Sequence, residues 1–413
     1  MNPLRGALAP VIRLLPERLR PYFVPLASGT IALLCLLKGN IQWAVLCGVI
    51  AVLTTAGKQM PAINRSVGRA VGILPAPARP YAIPGVAFAA ALFAVPLLGP
   101  FWVNIFTRVA IFVLVAIGAN ILYGRVGLAT LCQIGLMSVG TWVTLRLWFL
   151  TGWPVAVVWL IGGIVTMLVG ILVGLPALRL GGLQLAMITL MAAGGFAVIL
   201  NSLSFPNGGP GFKGLVLTVE SRRELGRPVF ARGNFAWYRF TVVAAVLGLC
   251  LALWHLRGRP GRAWAAIRQS EPAALAAGID VTRYKLWAFA LASFLTGIAG
   301  GVYASSVRSP AQTVFQTPDN VTLFAVVIIS AVVIGGSFSL YGAVLAALLK
   351  EFLPEFLKTH LPGLIGHLPG FLKSQLAIAQ DRPDRIGIIL FGVGVLLNLV
   401  ITTRAAKKKG LSL

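Results

Sequence analysis

The side chains able to carry acid–base, metal or nucleophilic chemistry are few for a chain of 413 residues: ten carboxylates, three histidines and four cysteines. The acids are Glu17, Glu220, Glu224, Glu271, Asp280, Asp319, Glu351, Glu355, Asp381 and Asp384, and none falls deep inside an apolar stretch. A proton-coupled carrier or pump needs an intramembrane carboxylate or histidine, a group made conspicuous by the cost of burying it. A magnesium-dependent transferase needs paired acids, and a hydrolytic zinc site needs clustered histidines with a carboxylate. His360 and His367 share a segment with Asp381 and Asp384, but their spacing fits no ligand pattern. The chain also lacks a GxxxxGK[ST] phosphate cradle, so it does not hydrolyse ATP by that route. Cys35, Cys47, Cys132 and Cys250 lie inside apolar runs without CxxC spacing and read as small core hydrophobes. No cofactor or metal is expected. Sodium held by backbone carbonyls at a broken helix stays open.

Uncharged polar residues inside apolar runs are the remaining candidates for chemistry, because lipid-facing positions cannot satisfy them. They are Asn104, Asn120, Gln133, Gln184, Thr189, Asn201, Ser293 and Asn398. Some of these only bond one packed helix to another. Asn120 and Gln133 stand out because they flank a glycine-rich break at Gly124 to Gly127, and Gln184 and Thr189 join them as expected pathway residues. Gly297, Gly300 and Gly301 suit close helix approach.

The elements that must position these residues follow from composition. Hydrophobic residues make up 58% of the chain and charged ones 11%, with a formal net charge of +25. A soluble protein carries about 25% charged residues, so this is an integral membrane protein, and its basic balance belongs to loops at the lipid surface rather than to nucleic acid. Crossings of roughly 20 apolar residues fit about a dozen segments. They are Tyr22–Leu37, Ile41–Thr55, Tyr81–Leu98, Phe101–Leu122, Gly127–Leu150, Trp153–Gly174, Leu183–Leu203, Trp237–Leu256, Tyr284–Ala304, Val321–Ile334, Leu340–Leu353 and Ile386–Ile401. Several are short, and Gly335, Gly336 and Ser337 interrupt one apolar region. The expected fold is therefore an all-α, polytopic transmembrane helical bundle with broken or re-entrant segments. Residues 1–80 form an amino-terminal extension with two expected transmembrane helices, and 81–413 form the main transmembrane domain.

Lys and Arg cluster on alternate connections. Arg5, Arg13, Arg18 and Arg20, then Lys58, Arg65, Arg69 and Arg79, then Arg125 and Arg179, then Arg257, Arg259, Arg262, Arg268, Arg283 and Lys285, then Arg404 and Lys407 to Lys409 fall on one side. The opposite side carries its charge mainly in two long loops, Ser204–Arg239 and Lys350–Arg385. The bias puts both termini in the cytoplasm.

One hydrophilic connection, residues 257–283, has a pattern of its own. Trp264 and Ile267 are one helical turn apart, with Arg262, Arg268 and Gln269 away from them, which gives a short amphipathic helix. Pro272 cannot continue that helix but suits the first turn of a second one, with Ser270 or Glu271 as its cap and Gly278 as its stop. Asp280 then caps the next span. Such a segment either lies on the headgroups or projects as a knob into a groove on a soluble partner.

The stretch Arg262–Leu286, with Glu271, Ala273, Ala274 and Gly278 in E-x-A-A-x-x-x-G spacing, resembles the signature of the permease subunits of branched-chain amino acid ABC importers, a group that includes urea and amide permeases. Gly174–Leu190, Asn207–Gly211 and Asp381–Ile401 resemble further stretches of that family in the same order, over roughly Ala110 to the carboxyl end. The resemblance implies that Trp264, Ile267, Arg268, Glu271, Ala273, Ala274 and Gly278 couple the chain to an ATPase subunit. It also implies as partners a second permease subunit, two ABC ATPases that use the ATP, an external substrate-binding protein and membrane lipid. The cargo would be a small polar solute, and the place a bacterial inner membrane. One stretch departs from the pattern: where the family shows Gln-x-Ser-x-Gly-His, this chain has Leu128, Thr130, Cys132 and Gln133, a difference that bears on the solute more than on the fold. The rival reading is a stand-alone sodium-coupled or passive carrier.

Overall fold

The computed structural model describes residues 99–180, 182–203, 231–307 and 342–352, with Val95, Arg227, Pro228 and Leu323. All of these belong to one compact unit, Ala90–Val332 with Ser337–Leu413. The boundary expected near residue 80, the two helices of the extension, the Gly335–Ser337 interruption, most of the two long loops and the segment Ile386–Ile401 lie outside the described residues.

The described residues contain no strand and fold as a bundle of helices. Helix α1 is Pro100–Asn120, opened by a proline in its first turn, where the missing N–H costs nothing. It is apolar on nearly every face, so it must be surrounded. With the turn that follows it, 89% of its most apolar 18-residue stretch is buried. The chain then passes through a π-helical turn, Ile121–Val126, which Gly127 stops with a left-handed φ of 89°.

Helix α2 is Gln133–Thr151, α3 is Val155–Gly174 and α4 is Gly182–Ser202. Helix α5, Asn234–Arg257, leads to two short helices, α6 (Arg259–Gln269) and α7 (Glu271–Ala276), and then to the long α8, Val281–Val307. Residues 342–352 are helical as well. Among the described residues, four helical stretches are long and apolar enough to cross a membrane: Pro100–Val126, Val155–Gly174, Asn234–Arg257 and Val281–Ser306. The segment read as Gly127–Leu150 starts later than expected, since residues 127–132 are not helical and α2 begins only at Gln133.

Helix α8 packs along α2 and α3 by way of small residues. A Cβ added at Gly140 would stand 2.5 Å from the Gly297 carbonyl oxygen, and one added at Gly297 would stand 2.6 Å from Thr166 Cβ. Gly297, Gly300 and Gly301 thus serve close approach, as their spacing suggested. Hydrogen bonds cross the same contact: Thr141 Oγ1 lies 2.9 Å from the Gly300 carbonyl, and Trp159 Nε1 donates to Ser305 Oγ at 3.1 Å. Trp159, Trp237 and Phe240 close the end of the bundle where α5 begins, with Trp159 and Trp237 centroids 6.0 Å apart. On the opposite side of α3, Leu160, Ile164, Leu168 and Leu172 are exposed at four-residue intervals, a stripe suited to lipid or a second subunit.

Candidate functional site

The connection between α5 and α8 folds as its residue types demand. Pro260 sits in the first turn of α6, and α6 buries Ala263, Trp264 and Ile267 on the face that the spacing marked. Trp264 is fully buried and its Nε1 donates to the Tyr284 carbonyl at 2.8 Å. Ser270 adopts extended backbone, breaks the helix and caps the next one, its Oγ accepting from Ala273 N at 3.3 Å. Of the two capping candidates in the sequence, Ser270 is the cap and Glu271 is not. Gly278 ends α7 with a φ of 76°, a left-handed conformation that a side chain opposes. Its N donates to Leu275 O and the N of Ile279 to Ala274 O. Asp280 Oδ1 accepts from Arg283 N at 3.1 Å and caps α8.

Within this segment the expected coupling residues divide by direction. Trp264, Ile267 and Ala274 point into the bundle and are buried. Ala273 on α7 and Gly278 just beyond its end are exposed, together with Leu275, an apolar side chain 60% exposed that the motif leaves unspecified. The inward group anchors the segment, and the outward group is its accessible surface.

Two charged residues do something their spacing did not announce. The carboxylate of Glu271 pairs with Lys285 in the first turn and a half of α8, Oε1 to Nζ at 2.7 Å. The Lys285 side chain is buried while that of Glu271 is half exposed, so the pair stands at the edge of the bundle. Arg268 is exposed, but its Nη1 donates to the carbonyl of Gly124 in the π turn. In the sequence Lys285 counts toward the charge bias and lies within the signature stretch Arg262–Leu286, neither of which assigns it a partner. A lysine so close to the start of an apolar span, with a carboxylate in the preceding connection, was the available signal.

Three of the pathway candidates, Asn120, Gln133 and Thr189, lie at the break between α1 and α2. Asn120 ends α1 and Gln133 begins α2, both buried, on either side of the π turn and the 127–132 loop. Thr189 reaches the same loop from α4: its Oγ1 accepts from Leu131 N at 3.0 Å. Thr296 on α8 donates to Gln133 Oε1 at 2.8 Å, and Gln133 Nε2 has no partner among the described residues. Gln184 does not join this group. It is exposed on the first turn of α4, and five residues along a helix put it about 140° round the axis from Thr189. Ser293 is buried on α8, where a Cβ at Gly170 would run into it, so it is enclosed by the α3 contact.

The site thus consists of a break in a buried helix, polar groups around it and a structured connection bonded to it. Residues 101–362 match the family model described as branched-chain amino acid transport system / permease component. The chain belongs to this family. It is 31% identical over 309 residues to the high-affinity branched-chain amino acid transport system permease protein LivM of Salmonella typhimurium, covering 65% of this chain and 68% of that protein. The LivM protein of Escherichia coli is 30% identical over the same length, with the same shares covered. A shorter match, 29% over 147 residues, joins it to the ribose import permease protein RbsC of Bacillus subtilis, over 33% of this chain and 45% of that one. No solved structure matches. The protein is thus a transmembrane permease subunit of an ABC importer, a multi-pass component of the bacterial inner membrane that works in a complex with other subunits.

Proposed function

We propose that this permease carries branched-chain amino acids, paired with a second permease and driven by two ABC ATPases, and that it takes its solute from an external binding protein. The observation that carries this reading is the α6–α7 connection. Its buried face anchors it to the bundle, its short second helix presents Ala273 and Leu275 outward with Gly278 exposed just past its end, and it is bonded to the break that Asn120 and Gln133 flank. Such a connection can receive a push and pass it inward. Two global states of the bundle, biased by differential contacts with the ATPases, then suffice for transport.

The solute reading is supported by the names of the two LivM relatives and by an uncharged polar break, which suits a solute handed over rather than tightly held. Both termini lie in the cytoplasm on this reading, with α6 and α7 on that same face. Glu271 and Gly278 fix the shape of the outward helix, the first through Lys285 and the second through its backbone. Asn120, Gln133 and Thr189 line the path.

The test is reconstitution. The permease, co-expressed with its permease and ATPase partners, is placed in liposomes with ATP inside the cytoplasmic compartment, and labelled leucine is offered with the binding protein. Uptake that needs ATP, and that excess valine or isoleucine suppresses while urea does not, is the expected result. Uptake of leucine by the single chain without ATPases overturns the assembly, and suppression by urea or short amides overturns the solute.

A further inference from the structure

By its position on α6, Arg268 belongs to the solvent-facing side, yet it reaches back to α1. Its Nη1 donates to the carbonyl of Gly124, in the last turn before Gly127. Carbonyls at the end of a helix have no N–H ahead of them, and the negative end of the helix dipole favours a cation there. The stem of Arg268 covers the same turn, since a Cβ added at Gly127 would stand 3.3 Å from Arg268 Cγ. The turn itself is wide: the N of Gly127 and the N of Leu128 both bond to Leu122 O, at 3.0 and 2.9 Å. π-Helical turns of this kind recur at functional sites in other helices. Trp264 and Glu271 hold the connection to α8, through Tyr284 and Lys285. Arg268 adds a bond from the same connection to the π turn that follows α1.

We propose that Arg268 is a positioning residue that joins the coupling connection to the α1–α2 break, so that displacement of α6 by an ATPase moves the π turn and the 127–132 loop. This inference rests on the importer reading above. It gives Arg268 an intrachain task, distinct from contact with an ATPase, and assigns the outward contact to α7. The link is a charge-assisted hydrogen bond to a helix end, so lysine retains part of it and alanine none.

The experiment compares wild type, Arg268→Lys and Arg268→Ala in the co-expressed complex in liposomes, reading ATPase stoichiometry, ATP hydrolysis and leucine uptake separately. The expected result for Arg268→Ala is normal ATPase content and hydrolysis with leucine carried per ATP lowered tenfold or more, and a smaller loss for Arg268→Lys. Loss of the ATPases from the complex in step with uptake makes Arg268 a docking residue and overturns the proposal, as does an unchanged ratio. Hydrogen exchange on the detergent-purified permease alone is the second readout: the amides of residues 125–129 should exchange at least tenfold faster in Arg268→Ala. Unchanged exchange there overturns the link even if the wild-type complex shows no ATP-driven uptake, a result that would sink the importer reading and leave the link to be judged by exchange.

Discussion

Removing either partner of the Glu271–Lys285 pair should have unequal consequences, and the structure fixes the sign of the inequality. The Lys285 side chain is 5% exposed and that of Glu271 is 49% exposed. Deleting Glu271 leaves an ammonium buried without its counter-charge. Breaking a fully buried pair in that way costs about 3–5 kcal/mol. Because Glu271 is half in solvent, its share is screened, and about 2–3 kcal/mol is the better figure for Glu271→Ala. Lys285→Met removes the buried charge together with its desolvation, keeps the stem's volume, and leaves a carboxylate that water can reach. That exchange should cost less than about 1 kcal/mol. The pair closes the α7–α8 junction, so the quantity to measure is local opening, read by hydrogen exchange of residues 273–285 in the detergent-purified permease. At tenfold per 1.4 kcal/mol, Glu271→Ala should speed exchange by about 30- to 150-fold and Lys285→Met by less than about fivefold. Equal effects of the two variants, or a larger effect of Lys285→Met, would refute the argument that burial of the lysine governs the pair.

Four further outcomes are expected. Gly278→Val should strain the stop of α7 by about 1–2 kcal/mol, since a Cβ opposes its φ of 76°. It should reduce stimulation of ATP hydrolysis while membrane insertion, read by fractionation, stays normal. Leu275→Asp, on an exposed position, should leave thermal unfolding of the purified permease unchanged and lower the ATPases recovered by affinity capture of the complex. Gly297→Ala forces a Cβ to 2.6 Å from that of Thr166 and to 3.0 Å from Gly163 Cα; overpacking of about 1–3 kcal/mol should lower the unfolding temperature. Reporter fusions after Arg404 should read as cytoplasmic and fusions within Ser221–Gly226 as external, and the reverse pattern would overturn the arrangement of charge.

How much of this was legible in the sequence depends on the kind of signal. The structure of the α6–α7 connection was legible almost throughout, because each of its features has a local cause: proline in a first turn, a hydroxyl at a cap, glycine at a left-handed stop and two apolar side chains one turn apart. The long helices were legible within a few residues, since hydropathy and length act along the chain. The start of α2 was not. Leu128, Leu131 and Cys132 are as apolar as helix residues, and hydropathy does not distinguish a buried loop from a buried helix. The loop is tolerated inside the bundle because Thr189, distant in sequence, bonds the N of Leu131. The tasks of Arg268 and Lys285 were hidden for the same reason. Counting charges by side of the membrane assigns both to a solvated surface, and only packing shows that one is buried and the other is spent on a helix end.

The way burial is shared among the helices supports the proposed task of the bond from α6 to the π turn. The most apolar stretches of α1 and α8 are 89% and 78% buried, whereas those of α3 and α5 are 33% and 28% buried. The first two are inner helices of the unit, and the second two present side chains to lipid or to another subunit. The connection leaves from α5, a peripheral helix, and returns to α8, an inner one. Were it attached through covalent continuity alone, a push on α7 could be absorbed by α5 shifting against its soft surroundings. The Trp264–Tyr284 bond and the Glu271–Lys285 pair run from the connection to α8 instead, and the Arg268–Gly124 bond runs to the π turn that continues α1. Close-packed helices shift between discrete arrangements and do not deform continuously. On the proposed reading, a displacement passed to α8 and to the π turn is therefore taken up where the packed helix is interrupted, at residues 121–132, between Asn120 and Gln133.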